Sequence, residues 1–554
     1  MLRRWKQPAA ILLGINLALT AGAPAMAKAQ SEKQDHEHRG DWNHPGSSSP
    51  VIHNGTPRSA GLHPESLSSI DTTMNKAMGT KMIPGGVVLI ARKGSIAKWE
   101  AYGYAARYTD DQFTEMEHPV PMTKNTIFDL ASISKIFTAT AAMKLYEQGK
   151  FKLDDRVADY IPEFKENGKE SVTIRQLLTH TSGFEPFIPL YKMGSNREDR
   201  LHIALTHPLK NAPGTTYTYS DLNMITLGVL VERLSGKRLD QYVKEAITGP
   251  LKMRDTMYNP PAYLKPRIAA TEYEPYINRG IVWGEVHDEN AWSLNGVAGH
   301  AGVFSSAHDL AVFAHMMLQH GKYGHKRILK PSTVELLQEN QLPQFPSNSH
   351  GLGWELDQGW YMDALSDTAT LGHTGFTGTT MVVSQKNKMI VLTLTNRVHP
   401  TRNTPSLNPV RREVARSAAD SIPVPLKRNE KAWFAGYGDS ITRPVVFELS
   451  EPAESISFHT WYEIEKNSDN GTVEASSDGK TWQKTDMAFT GKSDGWKQQT
   501  AFLPENSKFV RFVYKTDASV NGRGWYVKDV KAMNSSGKKI QSTITENQWS
   551  ERNY

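Results

Sequence analysis

Ser132 and Lys135, in the run Phe128-Asp-Leu-Ala-Ser-Ile-Ser-Lys-Ile-Phe, put a hydroxyl and an amine three residues apart. On a helix that spacing brings both to one face, the layout of a serine nucleophile activated by a neighbouring base. Ser-x-x-Lys recurs at Ser95, Ser477, Ser535 and Ser536, so spacing alone does not choose among them. Setting does. The stretch before Ser132 reads as extended, and Ser132 opens a helical pattern through Ile136, Phe137, Ala141, Ala142, Leu145 and Tyr146 that stops at Gly149. A hydroxyl at a helix N-terminus has free backbone N–H groups and the positive end of the dipole beside it, which favours a developing anion. Ser95 lies in a hairpin-like stretch and the other three in Gly-rich turns near the C-terminus.

Two more segments concentrate usable groups. Tyr217-Thr-Tyr-Ser-Asp-Leu-Asn places Tyr219 and Asp221 at the start of a helical run, and Leu371-Gly-His-Thr-Gly-Phe-Thr-Gly is a Gly-rich turn leading into a strand. Gly284-Glu-Val-His-Asp-Glu-Asn-Ala and the following Gly299-His300 bring His287, Asp288 and His300 into a loop region, where cleft-lining and ordinary loop chemistry remain equally open. His180, in Thr-His-Thr-Ser-Gly, reads as a structural turn residue.

These residues need a scaffold. A helix over 64–78 precedes two strands hinged at Lys93-Gly94, residues 132–341 alternate helical patterns with Gly/Pro-rich loops, and strands over 379–384 and 389–395 come before a helix over 408–419. Strands at both ends enclosing a helical middle imply an α+β domain whose sheet is closed by distant parts of the chain. After a linker at 423–431, short alternating stretches at 445–449, 455–462, 471–476, 508–514 and 524–530 carry the pattern of an all-β sandwich over 432–540, with 541–554 as a tail.

The 554 residues exceed one ordinary domain, and an apolar content of 38% suffices for packed cores. Residues 1–29 read as a cleaved secretory signal, with Arg3, Arg4 and Lys6 ahead of a short apolar run and then Ala25, Ala27 and Ala29. This places the protein outside the cytoplasm, secreted or associated with the cell wall. Four of the positive charges behind the formal +6 fall in that segment, which leaves a balance too mild for nucleic acid. The absence of cysteine removes thiolate catalysis and cysteine-ligated zinc. Residues 30–61, polar and poor in apolar periodicity, read as a mobile tether whose His36, His38 and His44 are incidental.

In order, Ser-x-x-Lys, Tyr-x-Asp and His-Thr-Gly before a strand resemble the boxes of the penicillin-recognising serine hydrolases, more narrowly class C β-lactamases and related D,D-peptidases and esterases. The resemblance covers residues 62–420 (the domain itself is bounded at 62–422) and includes Leu177-Leu-Thr-His-Thr-Ser-Gly and Gly299-His-Ala-Gly-Val-Phe-Ser-Ser. It implies an antiparallel sheet flanked by helices, with an inserted helical region. It implies Ser132 as nucleophile, Lys135 as its proton acceptor and Tyr219 as partner base, with Lys135 and His373 lowering the phenol's pKa. Thr374 and Gly375 would dock substrate backbone, and the N–H groups of Ser132 and Phe376 would form the oxyanion hole. No cofactor and no metal are implied.

The sequence departs from the pattern twice. Asp221 stands where Asn is usual, able to pair with Lys135 but not to donate an amide hydrogen bond, and His373 stands for Lys, which makes carboxylate recognition pH-dependent. The implied substrates are peptidoglycan or its peptides, with a D-alanyl-D-alanine carboxypeptidase leading. A muramoyl-L-alanine amidase, suggested by the Val286-His-Asp-Glu-Asn loop, a β-lactamase, an esterase and a slowly deacylating β-lactam sensor stay open. The last unit resembles the jelly-roll modules of immune-inhibitor-A-type metalloproteases. It implies a cell-wall glycan contact in which Trp461, Trp482 and Trp525 either stack on sugar or fill the core, and calcium at Glu465, Asp469 or Asp529 is a further possibility.

Overall fold

A computed structural model describes residues 46–427 and 429–554; the signal segment, His36, His38 and His44 lie outside the described residues. The first unit is built on an eight-stranded sheet. Its strands run in the order His53–Asn54, Ser95–Tyr108, Gly85–Arg92, Met389–Thr395, Thr379–Ser384, Thr370–Thr374 and Glu355–Leu356, with Glu115–Pro121 added to Ser95–Tyr108. Only the first pair is parallel. Met389–Thr395 lies against Gly85–Arg92 with Val391 opposite Ile90, so the two ends of the domain close the sheet as the strand pattern requires.

The central strands read as continuous apolar runs because both of their faces are covered. Val87, Leu89, Leu371, Met381, Ile390 and Leu392 join one core with the helices Ser134–Glu147 and Ala307–Leu318. Their alternates Val88, Ile90, Val382 and Val391 join a second core with the helices Pro64–Gly79 and Asn408–Asp420. Ser134–Glu147 is buried nearly all round, packed on Asp221–Ser235, and such a helix belongs inside a domain. Pro64 supplies the fixed φ of a first helical residue, and Gly236, at φ 67°, takes the left-handed turn that ends Asp221–Ser235. Among the described residues no helix is long and apolar enough to cross a membrane.

The second unit is all β, a nine-stranded sheet knit together by two long strands, Thr442–Glu463 and Lys497–Lys515. The separate stretches expected at 445–449 and 455–462 are one strand whose register shifts between Glu448 and Ser455, a bulge that hydropathy reads as a break. Two boundaries move. The tether ends early: the N–H groups of Ser49 and His53 donate to the carbonyls of Lys93 and Gly94 at 2.8 and 2.9 Å, and His53–Asn54 joins the sheet. The stretch read as a tail forms the strands Ser542–Asn547 and Ser550–Arg552. Within the linker, Val424 and Leu426 are buried with Phe434, Trp461 and Tyr526.

Candidate active site

Ser132 stands in a one-turn 3-10 segment, Ala131–Ile133, between the strand Ile127–Asp129 and the helix that begins at Ser134, two residues later than the sequence suggests. The preceding Ala131 has φ 47°, a left-handed conformation an alanine adopts only when its surroundings impose it. Asp129 does so: one carboxylate oxygen accepts the Ala131 N–H at 2.8 Å and the other the His287 N–H at 2.7 Å.

One helical turn on, the Lys135 ammonium donates to Ser132 Oγ at 2.8 Å, reaches Asp221 Oδ1 at 2.8 Å, and lies 4.7 Å from the centre of the Tyr219 ring. Burial opposes its charge, yet Asp221 and Tyr219 hold its pKa above the ordinary lysine value. The Tyr219 hydroxyl faces both Lys135 and Ser132, and burial raises its pKa in spite of the ammonium. This corrects the expectation that Lys135 and His373 would acidify the phenol. Burial, then Lys135, pushes His373 down to about 3, and its Nδ1 donates to the Thr374 carbonyl at 2.8 Å. His373 is therefore neutral at physiological pH and supplies neither a field for Tyr219 nor a pH-dependent cation for a carboxylate.

The strand carrying His373 and Thr374 is open where it matters. Glu355–Leu356 pairs only with Leu371 and Gly372, so beyond them the strand edge is open at Thr374. The Gly375 N–H donates to the Thr379 carbonyl at 2.8 Å and its own carbonyl accepts from Arg411 at 3.1 Å, which corrects the expectation that Gly375 docks substrate backbone. Gly375 is required there: a Cβ would lie 2.3 Å from the Leu130 carbonyl oxygen. Phe376 is half exposed, its N–H has no backbone partner among the described residues, and its ring stacks on His287 at 5.7 Å.

The loop before the third box is brought to the site. His300 Nε2 donates to Asp288 Oδ1 at 2.8 Å while the His300 carbonyl accepts from Lys135 at 3.4 Å. His287 Nε2 is 2.8 Å from Glu272 Oε2, which also accepts from Arg402 at 2.6 Å. His180 is structural as expected and has a definite task. Its Nδ1 accepts the Ser220 N–H at 3.1 Å, and its ring lies 4.7 Å from that of Tyr219, so it braces the Tyr219 segment. Asp129, Glu272 and Arg402 escaped sequence reasoning, since no spacing links 129, 272 and 402; the only signal was an Asp in the turn before a candidate nucleophile.

Two donor sets near the site have the geometry of metal clusters, Asp221 with Asp288 and His300, and Glu272 with Glu274 and His287. Each is already balanced by its own cations, Lys135 for the first and Arg279 and Arg402 for the second. In the second unit Glu465 and Asp469 converge with Asp517, whereas Asp529 stands apart against His459 at 3.2 Å. Trp461 and Trp525 are core residues there, and Trp482 lies under the Arg511 guanidinium at 4.2 Å.

The fold and this arrangement define a serine-hydrolase scaffold with the hydroxyl, ammonium and phenol in mutual contact. The Beta-lactamase family model matches residues 70–416, and the chain belongs to that family. A protein of Salmonella agona (strain SL483) named "Putative D-alanyl-D-alanine carboxypeptidase" is 33% identical over 397 residues, 65% of this chain and 89% of that protein. Among solved structures, EstCE1, a hydrolase with promiscuous acyltransferase activity, is 24% identical with TM-score 0.51, covering 64% of this chain and 99% of its own. A penicillin-binding protein homologue from Caulobacter crescentus is 18% identical with TM-score 0.50, covering 65% and 98%. At these identities the two structures speak for the fold alone.

Proposed function

We propose that this protein is a secreted serine hydrolase of the class C β-lactamase type that works through an acyl-enzyme as a D-alanyl-D-alanine carboxypeptidase on peptidoglycan or its peptides. The observation that carries the chemistry is the contact of Ser132 Oγ with a buried Lys135 that also touches Tyr219. Ser132 attacks the carbonyl carbon, and its proton passes to the Lys135–Tyr219 pair after the pair has lost one proton. The pair then protonates the leaving amine, and water repeats the sequence to free the acid. The N–H groups of Ser132 and Phe376 receive the oxyanion, and Thr374 offers the open strand edge to substrate backbone. The naming of the Salmonella relative supports the substrate class.

A muramoyl-L-alanine amidase is the second reading, favoured by the Val286-His-Asp-Glu-Asn loop lying directly on the nucleophile turn through Asp129. Incubation of the purified protein with a muropeptide digest separates the two by mass. Loss of one alanine from pentapeptide species supports the carboxypeptidase, release of intact peptide from the sugar supports the amidase, and no change in either sinks both.

A further inference from the structure

The wall of the cleft beyond His373 is the turn 375–378, and three guanidinium groups gather on it. Arg411 is buried behind the turn, with Nε donating to Thr380 Oγ1 at 2.9 Å and Nη2 to the Gly375 carbonyl at 3.1 Å. Arg402 lies 5.6 Å from the centre of the Phe376 ring and is committed to Glu272 at 2.6 Å and Glu289 at 2.8 Å. Arg397 lies on the same ring at 5.9 Å. Its Nη2 donates to the carbonyls of Arg402 and Thr404 at 3.3 and 3.2 Å, and its Nε is buried without a partner. Among the described residues no carboxylate forms an ion pair with Arg397; the acid whose charge it feels, Glu272, is held by Arg402.

A guanidinium does not deprotonate, so a half-buried one that no carboxylate pairs with is suited to an incoming anion. The position says which part of a substrate brings it. Tyr219 touches Ser132 and is the group able to hand a proton to the leaving group, so the leaving group faces Tyr219. The acyl segment then extends the other way, past the Phe376 N–H, toward Arg397.

We propose that Arg397 is a specificity-determining residue that receives a carboxylate borne on the acyl segment of the substrate. The inference rests on the acyl-enzyme reading and deepens it: the acyl donor is an acidic peptide rather than a neutral one.

The test uses two p-nitrophenyl esters of one glutaryl group, one with its distal carboxylate free and one with it methyl-capped, turned over by the full chain. The wild type is expected to show a lower KM for the free acid. In Arg397→Gln that preference should shrink by about tenfold or more, the size of a lost charge-assisted hydrogen bond, and Arg397→Lys should restore part of it. Thermal unfolding of each variant shows that the fold is kept. A wild type indifferent to the carboxylate overturns the proposal, as does an Arg397→Gln protein that keeps the preference or loses both substrates alike. The esters ask only for serine acylation. A protein that cleaves them and no D-alanyl peptide therefore refutes the carboxypeptidase reading while leaving the Arg397 result legible.

Discussion

Asp221 occupies the place where an amide is usual, and its carboxylate is 2.8 Å from the Lys135 ammonium. It raises the pKa of Lys135 and of Tyr219 alike, so both groups are protonated at neutral pH and the competent, singly deprotonated pair gains population as pH rises. Activity should therefore climb through the neutral range. Asp221→Asn removes the charge that holds the proton, so the rising limb of the kcat/KM profile should move to lower pH; an unmoved limb would separate Asp221 from the base. The same variant restores an amide donor and is expected to raise nitrocefin turnover relative to the natural substrate. Ser132→Ala should abolish fluorophosphonate labelling and cut turnover by about a thousandfold or more, and persistent labelling would place the nucleophile elsewhere. Ser132, Lys135, Tyr219, Asp221 and His373 were legible because each sits in a short local pattern. The charge state of His373 was not, because neutrality comes from burial beneath parts of the chain far away in sequence.

At the scale of elements, the turn at Ser132 and the strand end at Gly375 are fitted to each other with no space between them. A Cβ on residue 375 would meet Thr379 Oγ1 at 2.1 Å and the Leu130 carbonyl oxygen at 2.3 Å, and the carbonyl cannot retreat without moving the backbone. Gly375→Ala should cost about 2 kcal/mol or more of stability and lower kcat by displacing the Phe376 N–H, read by chemical denaturation and by turnover of a small ester. Loss of stability with kcat intact would mean that Phe376 does not receive the oxyanion. The sequence announced the glycine as part of a turn but not as a contact. Periodicity likewise found the strands Thr379–Ser384 and Met389–Thr395 and the helices Pro64–Gly79 and Asn408–Asp420 to within a residue or so, but it gave no strand at His53–Asn54, Glu115–Pro121 or Glu355–Leu356 and read the strand Thr370–Thr374 as part of a turn. It failed for the last strands, Ser542–Asn547 and Ser550–Arg552, which are short, polar and exposed on edges where pairing rather than burial makes them strands.

For the whole molecule, the break in pattern near residue 423 suggests that the catalytic unit stands alone, and the contacts across it say otherwise. Asp420, at the end of the helix Asn408–Asp420, accepts from Arg552 at 2.6 Å and from Tyr437, and Ser66 at the start of the first helix donates to its other oxygen at 2.8 Å. Arg412 pairs with Asp439 at 2.9 Å, and the ring of Tyr554, at the far end of the chain, stacks on His63 at 3.5 Å. The β unit thus closes over both helices that cover one face of the catalytic sheet. A chain ending near Pro425 removes that cover and strands Val424, which is buried against the β unit. Such a protein should still label with a fluorophosphonate at low temperature, since Ser132, Lys135 and Tyr219 all lie on the other face of the sheet, but it should melt several degrees lower and aggregate on warming. Because truncation also lets water reach Asp420, the sharper test is Arg552→Ala in the full chain, where Asp420 and Tyr437 stay buried without their cation; a loss of about 3 kcal/mol is expected. An unchanged melting temperature in both proteins would mean that the two units merely touch.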